Sequence, residues 1–306
     1  MLGAKGLHFR ATFFRLLRSF FYQHGFLEVD TPLRQPIYIP ESNITPITSD
    51  NEYLQTSPEL CMKRLLAAGS HKIFQICHCF RKEEKGRLHL EEFQMLEWYR
   101  TGADYHQLME DCEALLRYLL DNLQDDQKPG SIVDGPFFSG VNFDGSWERL
   151  TVDEAFTRYS PIALKRALDE GIFDEVLVEY IEPHLGNAAP AFLYDYPLEL
   201  GSLARKRADN PKVAERFELY INGIEIANGF SELTDAEEQR SRFVREIEII
   251  KAITGRDVVL PERFLQDLEK LDAAAGIAMG LDRLIMIAMN CQRIEEVITF
   301  SPADFS

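Results

Sequence analysis

A mainly antiparallel sheet flanked by helices, an α+β fold, is what the sequence predicts, and three observations predict it. Strand-like runs at 215–221 and 224–227 are joined by Asn222-Gly223, a two-residue hairpin signal. Further strand-like runs at 72–83, 91–100, 191–196 and 276–280 lack the steady strand–helix alternation of a doubly wound parallel sheet. Apolar residues recur at helical spacing over 9–24, 58–68, 105–121, 236–254, 261–271 and 282–289.

The first helix rests on Phe13, Leu16, Leu17, Phe20, Phe21 and His24, with Gly25 where a helix would stop. The pattern is that of a folded amphipathic helix rather than a targeting peptide. Residues 151–186 read as helical. Residues 121–145, with Asp125, Asp126, Pro129, Gly130, Gly135, Pro136 and Gly145, read as an irregular insertion or linker. There is no internal repeat, and the length allows one large domain or two small ones.

Composition narrows the function classes. A chain of 306 residues, 45% hydrophobic and 27% charged, matches an ordinary globular protein with room for a large core. No apolar run approaches the ~20 residues of a membrane span. Five scattered cysteines do not suggest a disulfide framework, and a reducing cytoplasm is the simplest compartment. On a strand, Cys77 and Cys79 face one way and His78 the other, so a tetrahedral metal site is not expected there. The formal net charge of −17 argues against extensive tRNA or DNA contact, which needs a basic face for phosphates.

The hairpin carries chemistry. Pairing Ile221 with Ile224 sets Tyr220 against Glu225 and Leu219 against Ile226. Phe217, Leu219, Ile221, Ile224 and Ile226 then line one face, and Glu218, Tyr220 and Glu225 the other. Glu218 and Glu225 become diagonal neighbours about 7–8 Å apart at the backbone. Such a pair suits a hard cation that completes its shell with phosphate and water. A solvated acidic face fits the same pattern, and the segment by itself leaves both readings open.

Two other segments add polar groups. Residues 80–100 read as two strands around a charged loop, with Arg81 and Glu83 on one face of the first. Phe93, Met95, Glu97 and Tyr99 share a face of the second. Residues 276–287 run from a glycine-containing strand into a helix with Arg283 in its first turn, a place that favours phosphate.

In this order the segments resemble the signature motifs of class II aminoacyl-tRNA synthetases. Residues 26–32 are similar to motif 1, with Pro32 at the position that shapes the family's dimer interface. Residues 80–83 with Glu92 and Phe93 are similar to motif 2, and residues 280–283 to motif 3. Residues 53–60, 96–99 and 223–235 resemble the lysyl-tRNA synthetase catalytic domain. The resemblance runs from about residue 9 to residue 300 and is weak between 121 and 186. Lysyl-tRNA synthetases carry an N-terminal OB-fold domain that reads the anticodon. Here the motif 1 helix begins within the first ten or so residues, so a single catalytic domain without that module is expected. A stand-alone core of this kind resembles the elongation factor P–(R)-β-lysine ligases, which modify a lysine side chain of elongation factor P and dispense with tRNA.

The resemblance implies ATP as substrate, Mg²⁺ on its phosphates, a homodimer built through motif 1, and (R)-β-lysine or lysine activated as an adenylate. Arg81 and Arg283 would be the catalytic residues. Arg81 would hold the substrate carboxylate and α-phosphate. Phe93 and Arg283 would sandwich adenine, and Glu83 would accept from its amino group. Lys82, Ile226 and Gly280 would complete the ATP site, with Mg²⁺ on Glu218 and Glu225. Ser57, Glu59, Tyr99, Glu232 and Ala278 would contact the amino acid. Glu97 is a weaker candidate, equally readable as a structural salt bridge. An acid-rich pocket implies a cationic guest, because an unpaired buried carboxylate is costly. Ala278 and Ser57 stand where lysyl-tRNA synthetases have Gly and Ala, changes that would reshape the pocket for an amino group moved to Cβ. Lys82 stands where Asn is usual, and Leu90 to Phe93 replaces an Asn-Pro-Glu-Phe run. These departures bear on loop contacts with ATP.

Three other functions are compatible with the core. A compact tRNA ligase predicts a basic track at the site mouth. An ammonia-dependent amide synthetase would not need the lysine-type pocket. A non-catalytic regulatory paralogue would have lost Arg81, Arg283 or the paired acids, and all are present.

Overall fold

The computed structural model describes residues 1–125 and 137–305. Helix α1 (Ala4–Gln23) leads into β1 (Leu27–Glu28), and β2 (Arg34–Gln35), β3 (Thr48–Ser49) and β4 (Glu52–Leu54) form a small separate sheet. Helix α2 (Glu59–Ala67) precedes the long hairpin of β5 (Lys72–Phe80) and β6 (Glu92–Thr101). Next come α3 (Tyr105–Asp125), β7 (Glu148–Thr151), α4 (Val152–Tyr159), α5 (Leu164–Asp169) and α6 (Phe173–Val176). The chain continues through β8 (Ala191–Pro197), β9 (Val213–Ile221), β10 (Ile224–Ser231), α7 (Ala236–Thr254), α8 (Glu262–Leu268), β11 (Ala274–Gly280) and α9 (Leu281–Ala288).

The main sheet has eight strands in the order β1-β5-β6-β11-β10-β9-β8-β7. It is antiparallel except at its two edges, where β1 joins β5 and β7 joins β8 in parallel. The expected α+β architecture is therefore present, and each of the six predicted strands and six predicted helices is found. The edge strands β1 and β7 lay outside the sequence reading, because two- and four-residue strands show no usable alternation.

Period-two alternation sorts the two faces. Phe74, Leu96 and Trp98 point into the principal core, where α1 contributes Phe13, Leu17 and Phe21 and α3 contributes Leu108, Leu115 and Leu119. The opposite face of β6 carries Phe93, Met95, Glu97 and Tyr99 and opens on the candidate site.

Two expectations need correction. Helix α3 continues to Asp125, so the predicted irregular segment does not begin at Asp121; residues 137–145 are turns and bends, and 126–136 lie outside the described residues. The register of the β9–β10 hairpin starts as predicted, with Ile221 opposite Ile224 and Tyr220 opposite Glu225. A bulge then intervenes, so that Leu219 faces Ala227 and Glu218 faces Asn228. One extra residue in β10 shifts every later side chain to the other face. Asn228 and Phe230 consequently share the cavity side with Glu225, while Ser231 turns to the core and accepts from the Tyr105 amide.

Candidate active site

A cavity of about 560 Å³ opens over the central strands. It brings together Ser57, Glu59, Arg81, Phe93, Tyr99, Glu218, Glu225, Ile226, Ala278, Gly280 and Arg283, predicted from separate parts of the chain. Lys82, Glu83 and Glu232 do not line it.

One wall is built from α9 and the β5–β6 loop. Asp282 fixes the start of α9, accepting from Arg10 Nη1 (2.9 Å) and from the Gln94 amide (2.7 Å). Arg283 then projects at the helix N-terminus. Its Nη1 donates to the Glu225 carbonyl (3.0 Å) and carboxylate (3.3 Å), and its Nε to the Leu88 carbonyl (3.3 Å). The Arg81 guanidinium lies 5.3 Å from the centre of the Phe93 ring, a cation–π contact. Glu83 departs from the expected geometry. Strand β5 ends at Phe80, and Glu83 takes a left-handed φ of 69°, so alternation no longer governs it. Its side chain is 77% exposed and pairs loosely with Lys82 (3.4 Å), whereas Glu84 lines the cavity.

The residues missed by the sequence reading include His89 and Arg216. His89 Nε2 meets Arg283 Nη2 at 2.5 Å, and burial together with Arg283 lowers its pKa, which favours the neutral ring. It sits in a charged loop with no periodicity to single it out. Arg216 pairs with Glu218 at 2.7 Å and also bonds Asn228 Oδ1 at 3.2 Å. Glu218 is thus heavily committed: Tyr196 and Tyr220 both donate to Oε2 at 2.6 Å, and Arg216 holds Oε1. Burial and the neighbouring Glu225 raise the Glu218 pKa against those three partners. Glu225 itself is 36% exposed, with Arg283 as its charged neighbour.

The acidic end lies between α2 and β6. Ser57 Oγ donates to Glu97 Oε1 (2.6 Å) and caps the Glu59 amide (3.0 Å); Tyr99 OH donates to Glu97 Oε2 (2.8 Å). Glu97 therefore holds pocket groups in place instead of forming the salt bridge weighed from sequence. Burial, then repulsion from Glu59, pushes the Glu97 carboxyl up to about 8. Glu232 is fully buried just behind the wall, and burial likewise raises it to about 8, opposed by Lys63. Gly276 permits this layering: a Cβ there would lie 2.2 Å from Tyr99 Cε1 and 2.4 Å from Glu232 Oε1. Cys77 and Cys79 sit below, with sulfurs 4.0 Å apart. His78 points away to Gln94, and no group of three potential metal ligands exists among the described residues.

Comparison with known proteins agrees with this geometry. Residues 4–304 match the family model described as class II tRNA synthetases (D, K and N). The chain is 39% identical over 298 residues to the elongation factor P–(R)-β-lysine ligase of Proteus mirabilis, covering 93% of this chain and 91% of that protein. It is 38% identical to the protein of the same name from Pectobacterium carotovorum, over 95% of this chain and 93% of that one. The Haemophilus influenzae protein of that name is 37% identical over 97% and 95%. The motif order, the sheet that unites the motifs and these near full-length similarities place the chain in the class II tRNA synthetase family, beside the elongation factor P–(R)-β-lysine ligases.

Proposed function

We propose that this chain is an ATP-dependent ligase that activates (R)-β-lysine, or lysine, as its adenylate and transfers it to a lysine side chain of elongation factor P. The observation that carries the reading is the mixed charge of one cavity. Arg81, Arg216 and Arg283 line it together with Glu59, Glu97 and Tyr99, and Glu232 lies behind Gly276. A guest that carries both a carboxylate and ammonium groups matches that lining. The names of the similar proteins supply the β-amino acid and the protein acceptor.

In the first step the substrate carboxylate attacks the α-phosphate of ATP and pyrophosphate leaves. The protein's contribution is positioning and charge stabilisation. Arg81 orients the carboxylate against the phosphate, and Phe93, which already stacks on a guanidinium, offers a face for adenine. Arg283, Gly280 and Ile226 border the remaining nucleotide space, and Lys82 and Glu83 would join only if their loop moved inward. Among the carboxylates, Glu225 is open and fits a hard cation, with Glu218 contributing at most through Oε1. Mg²⁺ held there would neutralise phosphate charge. In the second step the acyl group passes to the acceptor amine as AMP departs.

We further propose that residues 1–306 act as one catalytic unit, that motif 1 mediates a homodimer, and that the protein works in the cytoplasm. No helix among the described residues is long and apolar enough to cross a membrane, and the net charge of −17 disfavours extensive tRNA binding. The deciding assay is ATP–pyrophosphate exchange with (R)-β-lysine against L-lysine, followed by label transfer to elongation factor P or tRNA. Exchange favouring β-lysine with label on the protein supports the proposal. Label on tRNA, or no exchange with any amino acid, overturns it.

A further inference from the structure

A buried lysine stands at the acidic end of the cavity, and the reaction outlined above does not use it. Lys63 lies one turn after Glu59 on α2 and its side chain is 1% exposed. Its ammonium donates to Glu59 Oε1, pairs with Glu232 Oε2, and sits 5.2 Å from the centre of the Phe230 ring. Burial alone would lower its pKa, but Glu232 and Glu59 outweigh burial and hold it above the ordinary lysine value, so it stays charged. Glu232 is fully buried and neither oxygen accepts a hydrogen bond of good geometry: Oε2 is met by the Lys63 ammonium as an ion pair, and Oε1 by none. That oxygen lies at the gap left by the missing Gly276 side chain, next to Tyr99. Glu97 and Tyr99 of β6 and Glu41, from the segment between β2 and β3, also feel the charge of Glu59 or Glu232, and Arg81 opposes it at Glu41 and Glu97.

We propose that Lys63 is a positioning residue of the amino-acid pocket: it clamps Glu59 and the buried Glu232 through one oxygen each, and so holds Glu59, which lines the cavity, in place to receive a guest ammonium. The proposal rests on reading this cavity as a diamino-acid site. Glu59 and Glu232 come from different elements, and two like charges in a dry wall repel. A shared counter-cation draws them to one point. Without it, Glu232, which burial already raises to about 8 even beside Lys63, keeps its proton to a still higher pH. The pocket would then bind ammonium groups only at higher pH.

Lys63→Met retains bulk and removes the charge, while Lys63→Ala leaves a channel that n-butylammonium can fill. In pyrophosphate exchange at pH 7, Lys63→Met should raise the amino-acid KM by about tenfold or more, with the ATP KM nearly unchanged. Its amino-acid affinity should recover as pH rises, with the acid limb displaced upward from wild type. n-Butylammonium, but not n-butanol, should raise the Tm of Lys63→Ala and restore its exchange. Should a single variant fail to fold, the charge-balanced Lys63→Met/Glu59→Gln carries the same expectation for the acid limb. Wild-type KM and pH profile in Lys63→Met overturn the proposal. So does a parallel rise in both KM values with no pH displacement, the result of a purely structural role. A wild-type protein that exchanges with no diamino acid overturns the function proposed above. In that case a rise in the Tm of Lys63→Ala specific to n-butylammonium still supports the clamp.

Discussion

Arg283 donates through one nitrogen to both the carbonyl and the carboxylate of Glu225, at 3.0 and 3.3 Å, so the arginine opening α9 is tied to the acid on the bulged strand β10. In the proposed reading, a nucleotide entering between them would exchange this pair for phosphate and cation contacts. Glu225→Gln retains the carbonyl contact and loses the charge. We expect it to cut adenylate-dependent pyrophosphate release about 100-fold or more. Near wild-type release from this variant would refute the cation assignment.

Gly276 is required by packing against two side chains of the proposed amino-acid pocket. A Cβ at that position would overlap Tyr99 in the cavity wall and Oε1 of the buried Glu232 behind it. Gly276→Ala should destabilise the fold by about 1–3 kcal/mol, the usual cost of overpacking. It should also raise the amino-acid KM more than the ATP KM. A variant with unchanged amino-acid KM would show that Tyr99 and Glu232 can shift without consequence.

Glu97 makes stability depend on pH. Its folded pKa, about 8, lies above the ordinary 4.5 because the carboxyl is buried beside Glu59. Between those values the folded chain keeps a proton that the unfolded chain has lost. Stability from this group therefore falls as pH rises across that window and levels off above it. Glu97→Gln should flatten the decline. Denaturant unfolding of both proteins from pH 5 to pH 9 measures the difference; superimposable slopes would remove Glu97 as its source.

Ala278 sits opposite Glu97 in the β6–β11 ladder and lines the cavity. Its methyl group narrows the space at the amino-acid end. Ala278→Gly should increase exchange with L-lysine relative to (R)-β-lysine, without altering the ATP KM. An unchanged ratio of the two amino acids would separate Ala278 from substrate choice.

Much of the fold and site was legible because it is local. Phe93, Met95, Glu97 and Tyr99 share a face since β6 is regular from Glu92 to Thr101, and the Asn222-Gly223 turn sets the first pairs of its hairpin. Glu83 was misread because the strand ends three residues earlier and the backbone turns left-handed, which no alternation rule anticipates. His89 carried no signal, since its partner Arg283 lies far away in sequence. Lys63 follows Glu59 by one turn and Arg216 lies two residues from Glu218, but each gains its place in the site from a second, distant partner, Glu232 and Asn228.

By itself the sequence determined the α+β class, which follows from short-range periodicity, and the motif order; the acid-rich character of the pocket was what the resemblance carried by those motifs implied. The tertiary structure decided which acids meet. The β10 bulge changes parity after Glu225 and brings Asn228 and Phe230 to the cavity side, and α2 then sets Lys63 between Glu59 and Glu232. A bulge is a mismatch of one residue between two paired strands, and a buried ion pair joins elements remote in the chain. Both exist only once the partners are packed together.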